Sequence, residues 1–239
     1  MRWLRHRDSR PETEDAALAA TWQVVSLLLD YPDEVLVERV PLLRDVVTAL
    51  PAAQRDLLLP FLDRLAGGDL RVLQQEYVDT FDVTRRCSLH LTYFTHGDTR
   101  RRGVALVEFT QAYRRAGADF DIDVELPDHL CVVLEFGALQ DGATAWALLT
   151  RHRVGIEVLR AGLARRHSPW LPVLEALRTT LPVLDGDDEE ALARLVAQGP
   201  PQEEVGLEPY AVDPRLNPRP QPADTTALLG TTIPVGTPR

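Results

Sequence analysis

A chain of 239 residues suggests one domain, with room for an appendage, and 45% hydrophobic with 26% charged residues is the make-up of a soluble protein with a sizeable core. The formal net charge of −10 argues against general nucleic-acid binding, because phosphate backbones select basic surfaces; it suits a basic partner or simple solubility. Lysine is absent, and two cysteines, Cys87 and Cys131, are too few for a disulfide framework, which points to the reducing cytoplasm.

The hydrophobic pattern is helical almost throughout. The basic start, Met1 to Arg7, followed by the apolar run Ala16 to Leu29, has the outline of a leader peptide. Glu12, Glu14 and Asp15 interrupt it, and Asp30-Tyr31-Pro32 follows in place of a small-residue cleavage site. A helix from Thr13 to Asp30 is the better reading, with Trp22, Val25, Leu28 and Leu29 on one face. Pro32, Pro41 and Pro51 fall where a first helical turn accepts proline, so residues 32 to 66 divide into short helices, with a kink or split at Pro60 and a stop at Gly67-Gly68. A helix from Asp69 to Phe81 follows. Residues 82 to 98 read as a connection with one helical turn, and residues 99 to 117 return to helix.

After an acidic loop (Asp119, Asp121, Asp123, Glu125), Pro127 is expected to open a helix carrying Leu130, Val133 and Leu134. The longest helix is predicted from Ala143 to Arg166. Ser168-Pro169 should cap one that ends near Leu181, and Asp187 to Glu190 should begin a last one. From Gly199 the composition changes: nine of the 18 prolines fall in the last 41 residues, too little apolar material to offset ordering entropy. The expected architecture is all-α: a single bundle-like domain of about nine helices over residues 1–198, and a disordered Pro-rich tail over residues 199–239.

Several residues invite a chemical reading. Tyr77 and Phe81, four apart, share a helix face and serve either as core or as the apolar wall of a peptide groove. Asp98 and Thr99 precede a helix and suit an N-cap. Arg100, Arg101 and Arg102 then sit in its first turn, the wrong end for cations, and form either a solvated face or a group that carboxylates elsewhere or on a partner pair with. Asp121, Asp123, Glu125 and Asp128 form either a solvated loop or an attractor for a basic peptide. Asp128, directly after Pro127, reads as first-turn charge complementing a helix dipole. His129 is its neighbour and points elsewhere, so the two make no catalytic dyad. Cys87, His90, His96, His129 and Cys131 are the metal candidates, but their spacing matches no strong zinc pattern, and there is no Gly-rich phosphate loop.

One block is specific: Glu76-Tyr77-Val78-Asp79-Thr80-Phe81-Asp82, then Leu89-His90-Leu91-Thr92-Tyr93, then Gly97-Asp98-Thr99-Arg100-Arg101-Arg102-Gly103. With Gln111-Ala112-Tyr113-Arg114, Glu125-Leu126-Pro127-Asp128-His129-Leu130 and the early Leu28-Leu29-Asp30-Tyr31-Pro32, it resembles the NarJ-type nitrate reductase assembly chaperones over roughly residues 20 to 198. The wider family's Tyr-x-x-Leu-Phe and Glu-Pro-x-Asp-His motifs look like residues 77–81, with Thr80 in the leucine place, and residues 125–129, with the proline one step later. Both departures fit the nitrate reductase branch.

The resemblance implies a cytoplasmic chaperone, with no enzyme activity and no cofactor of its own. Its partner would be the apo catalytic subunit of a respiratory nitrate reductase, bound chiefly through its N-terminal segment. That subunit would be held competent for molybdenum cofactor insertion before membrane docking. Tyr77, Phe81, Tyr93, Asp98, Arg101, Asp121, Asp123, Asp128 and His129 are the expected client-binding residues. Two rivals remain at this stage: a metal-dependent helical hydrolase using the Cys/His set, and a non-catalytic scaffold with an unrelated partner.

Overall fold

The computed structural model describes residues 12–97, 100–118, 125–184 and 193. All of them belong to the first of the chain's two compact units, Met1–Glu203. Asp119, Asp121 and Asp123 of the predicted acidic loop, the predicted last helix apart from residue 193, and the tail lie outside the described residues.

Among the described residues there are eleven α-helices and no strand. Helix α1 (Glu12–Leu29) buries Trp22, Val25, Leu28 and Leu29 completely, the face its periodicity predicts. It lies against α8 (Leu130–Leu139), which buries six of its ten residues, as befits a helix apolar around most of its circumference. Helix α11 (Leu171–Arg178) packs on α1 and on α4 (Ala52–Gly67), and α4 carries α3 (Val40–Ala49) on its other side. A short α2 (Glu34–Glu38) is capped by the Asp33 carboxylate, which accepts from Leu36 N at 2.7 Å. Two threonines just past α11 tie the layer together: Trp22 Nε1 donates to Thr180 Oγ1 (3.0 Å) and Gln54 Nε2 to Thr179 Oγ1 (2.7 Å).

Close approach has a residue requirement. A Cβ on Gly137 of α8 would stand 2.5 Å from Ala145 Cβ and 2.7 Å from the Trp22 ring, so glycine there lets α1, α8 and α9 (Gly142–Arg151) meet. On α10 (Arg153–Arg165), a Cβ on Gly162 would stand 2.7 Å from the Arg86 carbonyl oxygen, so glycine lets the 3-10 turn Arg85–Cys87 lie on that helix.

Four expectations are revised. Helix α4 runs through Pro60 as one element. Pro60 is on the exposed face, and the carbonyl it deprives of a partner belongs to exposed Asp56, which water can serve. The predicted helix over residues 69–81 is α5 (Leu70–Tyr77) followed by a π-helical turn, Val78–Asp82. The predicted long helix breaks at His152 (φ −99°, ψ 19°) into α9 and α10, because the halves pack on different neighbours: α9 on α8, α10 on α11, the 3-10 turn and α6 (Tyr93–His96). Pro127 does not open α8. It lies in a tight turn in which His129 N donates to Leu126 O (3.0 Å), and the helix starts at Leu130. Helix α7 (Arg100–Arg115) appears where predicted, as does the single turn α6.

Candidate functional site

The last turn of a helix leaves carbonyls without intrahelical partners. At the end of α1 two are satisfied from afar: Tyr77 Oη donates to Leu29 O (3.1 Å) and Trp170 Nε1 to Leu28 O (3.1 Å). These bonds gather an aromatic cluster. Tyr77 and Phe81 have ring centroids 4.7 Å apart, and Trp170 meets both edge-on at 5.5 and 5.4 Å. Tyr77 and Phe81 are 6% and 8% exposed, so both are core residues. Above them, Tyr31 stands edge-on to Tyr77 at 5.5 Å and is 46% exposed, which carries the cluster to the surface.

Carboxylates surround this surface. Burial, then the charges of the Cys131 thiol and of Asp30, Asp82 and Glu125, push the Tyr77 phenol up. Burial, then Asp30, Glu125 and Glu135, push the Cys131 thiol well up. Asp30 and Asp82 are exposed, and no arginine pairs with Asp30, Asp82, Glu125 or Glu135 among the described residues. Exposed Asp63, Asp56 and Glu108 and half-buried Glu76, by contrast, each hold an arginine within 3.0 Å.

Beside this surface lies a buried polar centre. Residues 89–91 pair with 128–130 in a two-bond bridge: Leu91 N donates to Asp128 O (3.0 Å) and Leu130 N to Leu89 O (2.8 Å). The bridge brings Asp128, fully buried, against Thr92, whose N and Oγ1 both donate to Asp128 Oδ2 (3.0 and 2.6 Å). His90 Nδ1 and Arg102 Nη2 approach Oδ1 at 3.4 and 3.7 Å. Burial works to raise the Asp128 pKa; His90, Thr92 and Arg102 outweigh it and hold the carboxyl at about 2. Asp128 is therefore a buried anion that joins two segments, not the first-turn charge of α8 that its position after Pro127 suggests.

His129 is half-buried, its ring 5.1 Å from that of His90, and burial followed by the His90 charge lowers its pKa. Tyr113 Oη donates to Pro127 O at 2.6 Å and fixes the turn from the α7 side. The Arg102 guanidinium also bonds Thr92 Oγ1 (Nε, 3.3 Å) and stands 5.8 Å from the Tyr93 ring centroid.

Of the nine predicted residues, Tyr77 and Phe81 share the aromatic cluster, Asp128 and His129 both stand against His90 in the polar centre, and half-buried Tyr93 adjoins that centre through Arg102. Arg101 is exposed on α7, away from the Asp128 contacts that its neighbour Arg102 makes. Asp98, Asp121 and Asp123 lie outside the described residues. Sequence reasoning missed Thr92 and Arg102 as partners of Asp128, and Tyr31 as the exposed aromatic. Thr92 lies 36 positions from Asp128, and no spacing rule connects them. Among the described residues no group of three or more His, Cys, Asp or Glu stands together in a metal-holding arrangement. A cavity of about 540 Å³ between α7 and α9 is lined by Glu108, Arg115, Thr144, Ala147 and Leu148, among others, and by none of the nine predicted residues. No helix among the described residues is long and apolar enough to cross a membrane.

The fold has a solved counterpart. A putative redox enzyme maturation protein from Archaeoglobus fulgidus superposes with a TM-score of 0.53 at 21% identity, covering 68% of this chain and 92% of that one, so the two share an all-helical fold. Residues 47–176 match the sequence profile of the nitrate reductase delta subunit family, and the chain belongs to that family. Its relatives include the nitrate reductase-like protein NarX of Mycobacterium tuberculosis, 35% identical over 164 residues, in an alignment covering 66% of this chain and 24% of NarX. The chain thus spans about a quarter of NarX. The probable nitrate reductase molybdenum cofactor assembly chaperone NarJ of Bacillus subtilis is 29% identical over 162 residues, covering 67% and 88% of the two chains. The corresponding chaperone NarJ of Escherichia coli is 32% identical over 157 residues, covering 64% and 66%.

Proposed function

We propose that this chain is a non-catalytic, cytoplasmic assembly chaperone for a nitrate reductase. It binds the apo catalytic subunit, chiefly through that subunit's N-terminal segment, and keeps it competent for molybdenum cofactor insertion before it docks on its membrane partner. Family membership and the names of the NarJ relatives support the class of function. The observation that carries the site is the exposed aromatic Tyr31, resting on Tyr77 and accompanied by carboxylates that no arginine among the described residues neutralises. Such a surface suits a segment with apolar and basic side chains.

In this reading Tyr31 makes the contact, while Tyr77 and Phe81 act as its buried support. Asp128 and His129 hold the adjoining turn in place. Asp121 and Asp123, which precede Glu125 closely in sequence, add to the negative charge, and Tyr93, Asp98 and Arg101 belong to the same motif block.

Calorimetric titration with a synthetic peptide of the catalytic subunit's N-terminal segment, from the same organism, tests this. One-to-one binding with a dissociation constant near micromolar, about −8 kcal/mol, is expected. Asp121→Asn with Asp123→Asn should weaken it at low salt and much less at high salt. A folded protein that does not bind the peptide would shift the reading to a scaffold for another partner.

A further inference from the structure

The tertiary structure assembles a basic corner that the acidic composition hides. Arg85 and Arg86 lie in the 3-10 turn, and Arg165 and Arg166 end α10, about eighty positions later in the sequence. Gly162 joins the two segments: without a side chain, it admits the Arg86 carbonyl and the Cys87 sulfur against α10. Arg165 and Arg166 follow three and four residues on, which returns to the same helix face. Burial pushes the Cys87 thiol up, against the opposing charges of Arg166 and Arg165.

The end of α10 is firmly built. His167 takes a left-handed conformation (φ 52°), its N donates to Ala164 O (3.1 Å), and Ser168 N donates to Leu163 O (3.0 Å). That pair of bonds is a helix-terminating motif, and cations there complement the helix dipole. Arg85, Arg165 and Arg166 are exposed and Arg86 half-buried. None of the four has a carboxylate within salt-bridge reach among the described residues, whereas half-buried Arg44 and Arg55 and exposed Arg64 and Arg151 are each paired. Four like charges are thus carried by two adjoining segments with no counter-charge among the described residues.

We propose that this corner is a second docking surface, separate from the aromatic surface at Tyr31, and that it takes an acidic segment of a partner protein. Guanidinium groups suit carboxylates through paired hydrogen bonds. Two observations favour a polypeptide over other polyanions. Among neighbours in sequence only Val83 is an exposed large apolar residue, too little for insertion into a membrane. The net charge of −10 opposes approach to an extended polyanion such as a bilayer or nucleic acid, while a short acidic segment within about 10 Å feels mainly the local charge.

The test is fluorescence anisotropy of the full chain at low salt, with a labelled peptide of alternating glutamate and serine, and the same peptide with lysine for glutamate. Competitors are inorganic phosphate and vesicles of mixed phosphatidylcholine and phosphatidylglycerol. Two double variants remove the corner, Arg85→Gln with Arg86→Gln and Arg165→Gln with Arg166→Gln. Arg44→Gln with Arg55→Gln removes the same charge elsewhere. Circular dichroism melts establish that all fold. The glutamate peptide should bind, and either corner variant should lose about ten-fold in affinity while the control changes less than about two-fold. Absence of binding, equal loss in the control, or competition by phosphate or vesicles that depends on the corner would overturn the proposal; the last would reassign it to phosphate chemistry.

Discussion

Two buried carboxylates organise this molecule in contrasting ways. Glu157, 2% exposed, accepts from Arg160 Nε (2.8 Å) and Arg178 Nε (2.7 Å) and is ion-paired with Arg153 Nη2 (2.8 Å); Glu175 bonds Arg178 in turn. Asp128, fully buried, is served by Thr92 and approached by His90 and Arg102. The first cluster joins two helices with partners that stay charged at any physiological pH. The second joins two irregular segments and has histidines among its neighbours, next to the proposed client surface. The difference teaches that a buried charge can lock a scaffold or hold a site in register, according to what its partners can titrate.

The largest effect should come from breaking the first cluster. Glu157→Gln leaves three arginines without their shared anion and should cost about 3–5 kcal/mol in urea unfolding. A loss under about 1 kcal/mol would mean that Glu175 and solvent suffice.

Asp128→Asn should cost about 2–3 kcal/mol and should also change the acid response. The folded carboxyl titrates near 2, against an ordinary value of 3.8. Its stabilisation is therefore complete above pH 3.8 and is lost as pH falls through about 2. Melting temperature against pH should drop over that window in the parent and drop less in Asp128→Asn; parallel curves would refute the ion's role. His152 adds a second acid-sensitive step at higher pH. Burial lowers it from 6.5 to about 4, so its stabilisation is complete above pH 6.5 and is lost as pH falls through about 4. His152→Leu should flatten that part of the curve.

Smaller effects separate the helix lock from the site's support. Gly162→Ala should cost about 1–3 kcal/mol by pushing the Arg86 carbonyl off α10, and should loosen the basic corner with it. Tyr77→Phe, which removes the bond to Leu29 O but keeps the ring, should cost about 1 kcal/mol in thermal unfolding. If it also weakens client-peptide binding, the end of α1 transmits to Tyr31.

Much of this was open to a sequence reader. The buried face of α1, the α7 helix and the all-helical class follow from apolar periodicity, because a helix exposes its neighbours at fixed steps of three and four. The same rule places Arg153 and Arg160 beside Glu157. The motif block pointed to Tyr77 and Phe81, which share an aromatic cluster, and to Asp128 and His129, which share a polar centre with His90. What periodicity lacks is any term for distance across the chain. The break at His152, the π turn after Tyr77, the Asp128–Thr92 contact and the meeting of Arg85 and Arg86 with Arg165 and Arg166 each depend on which surfaces pack together. Local pattern determined the elements and the candidate residues. Only tertiary packing decided that Tyr77 and Phe81 are core, that Tyr31 is the exposed aromatic, and that Asp128 is a buried anion, because burial and pairing are set by neighbours that sequence order does not supply.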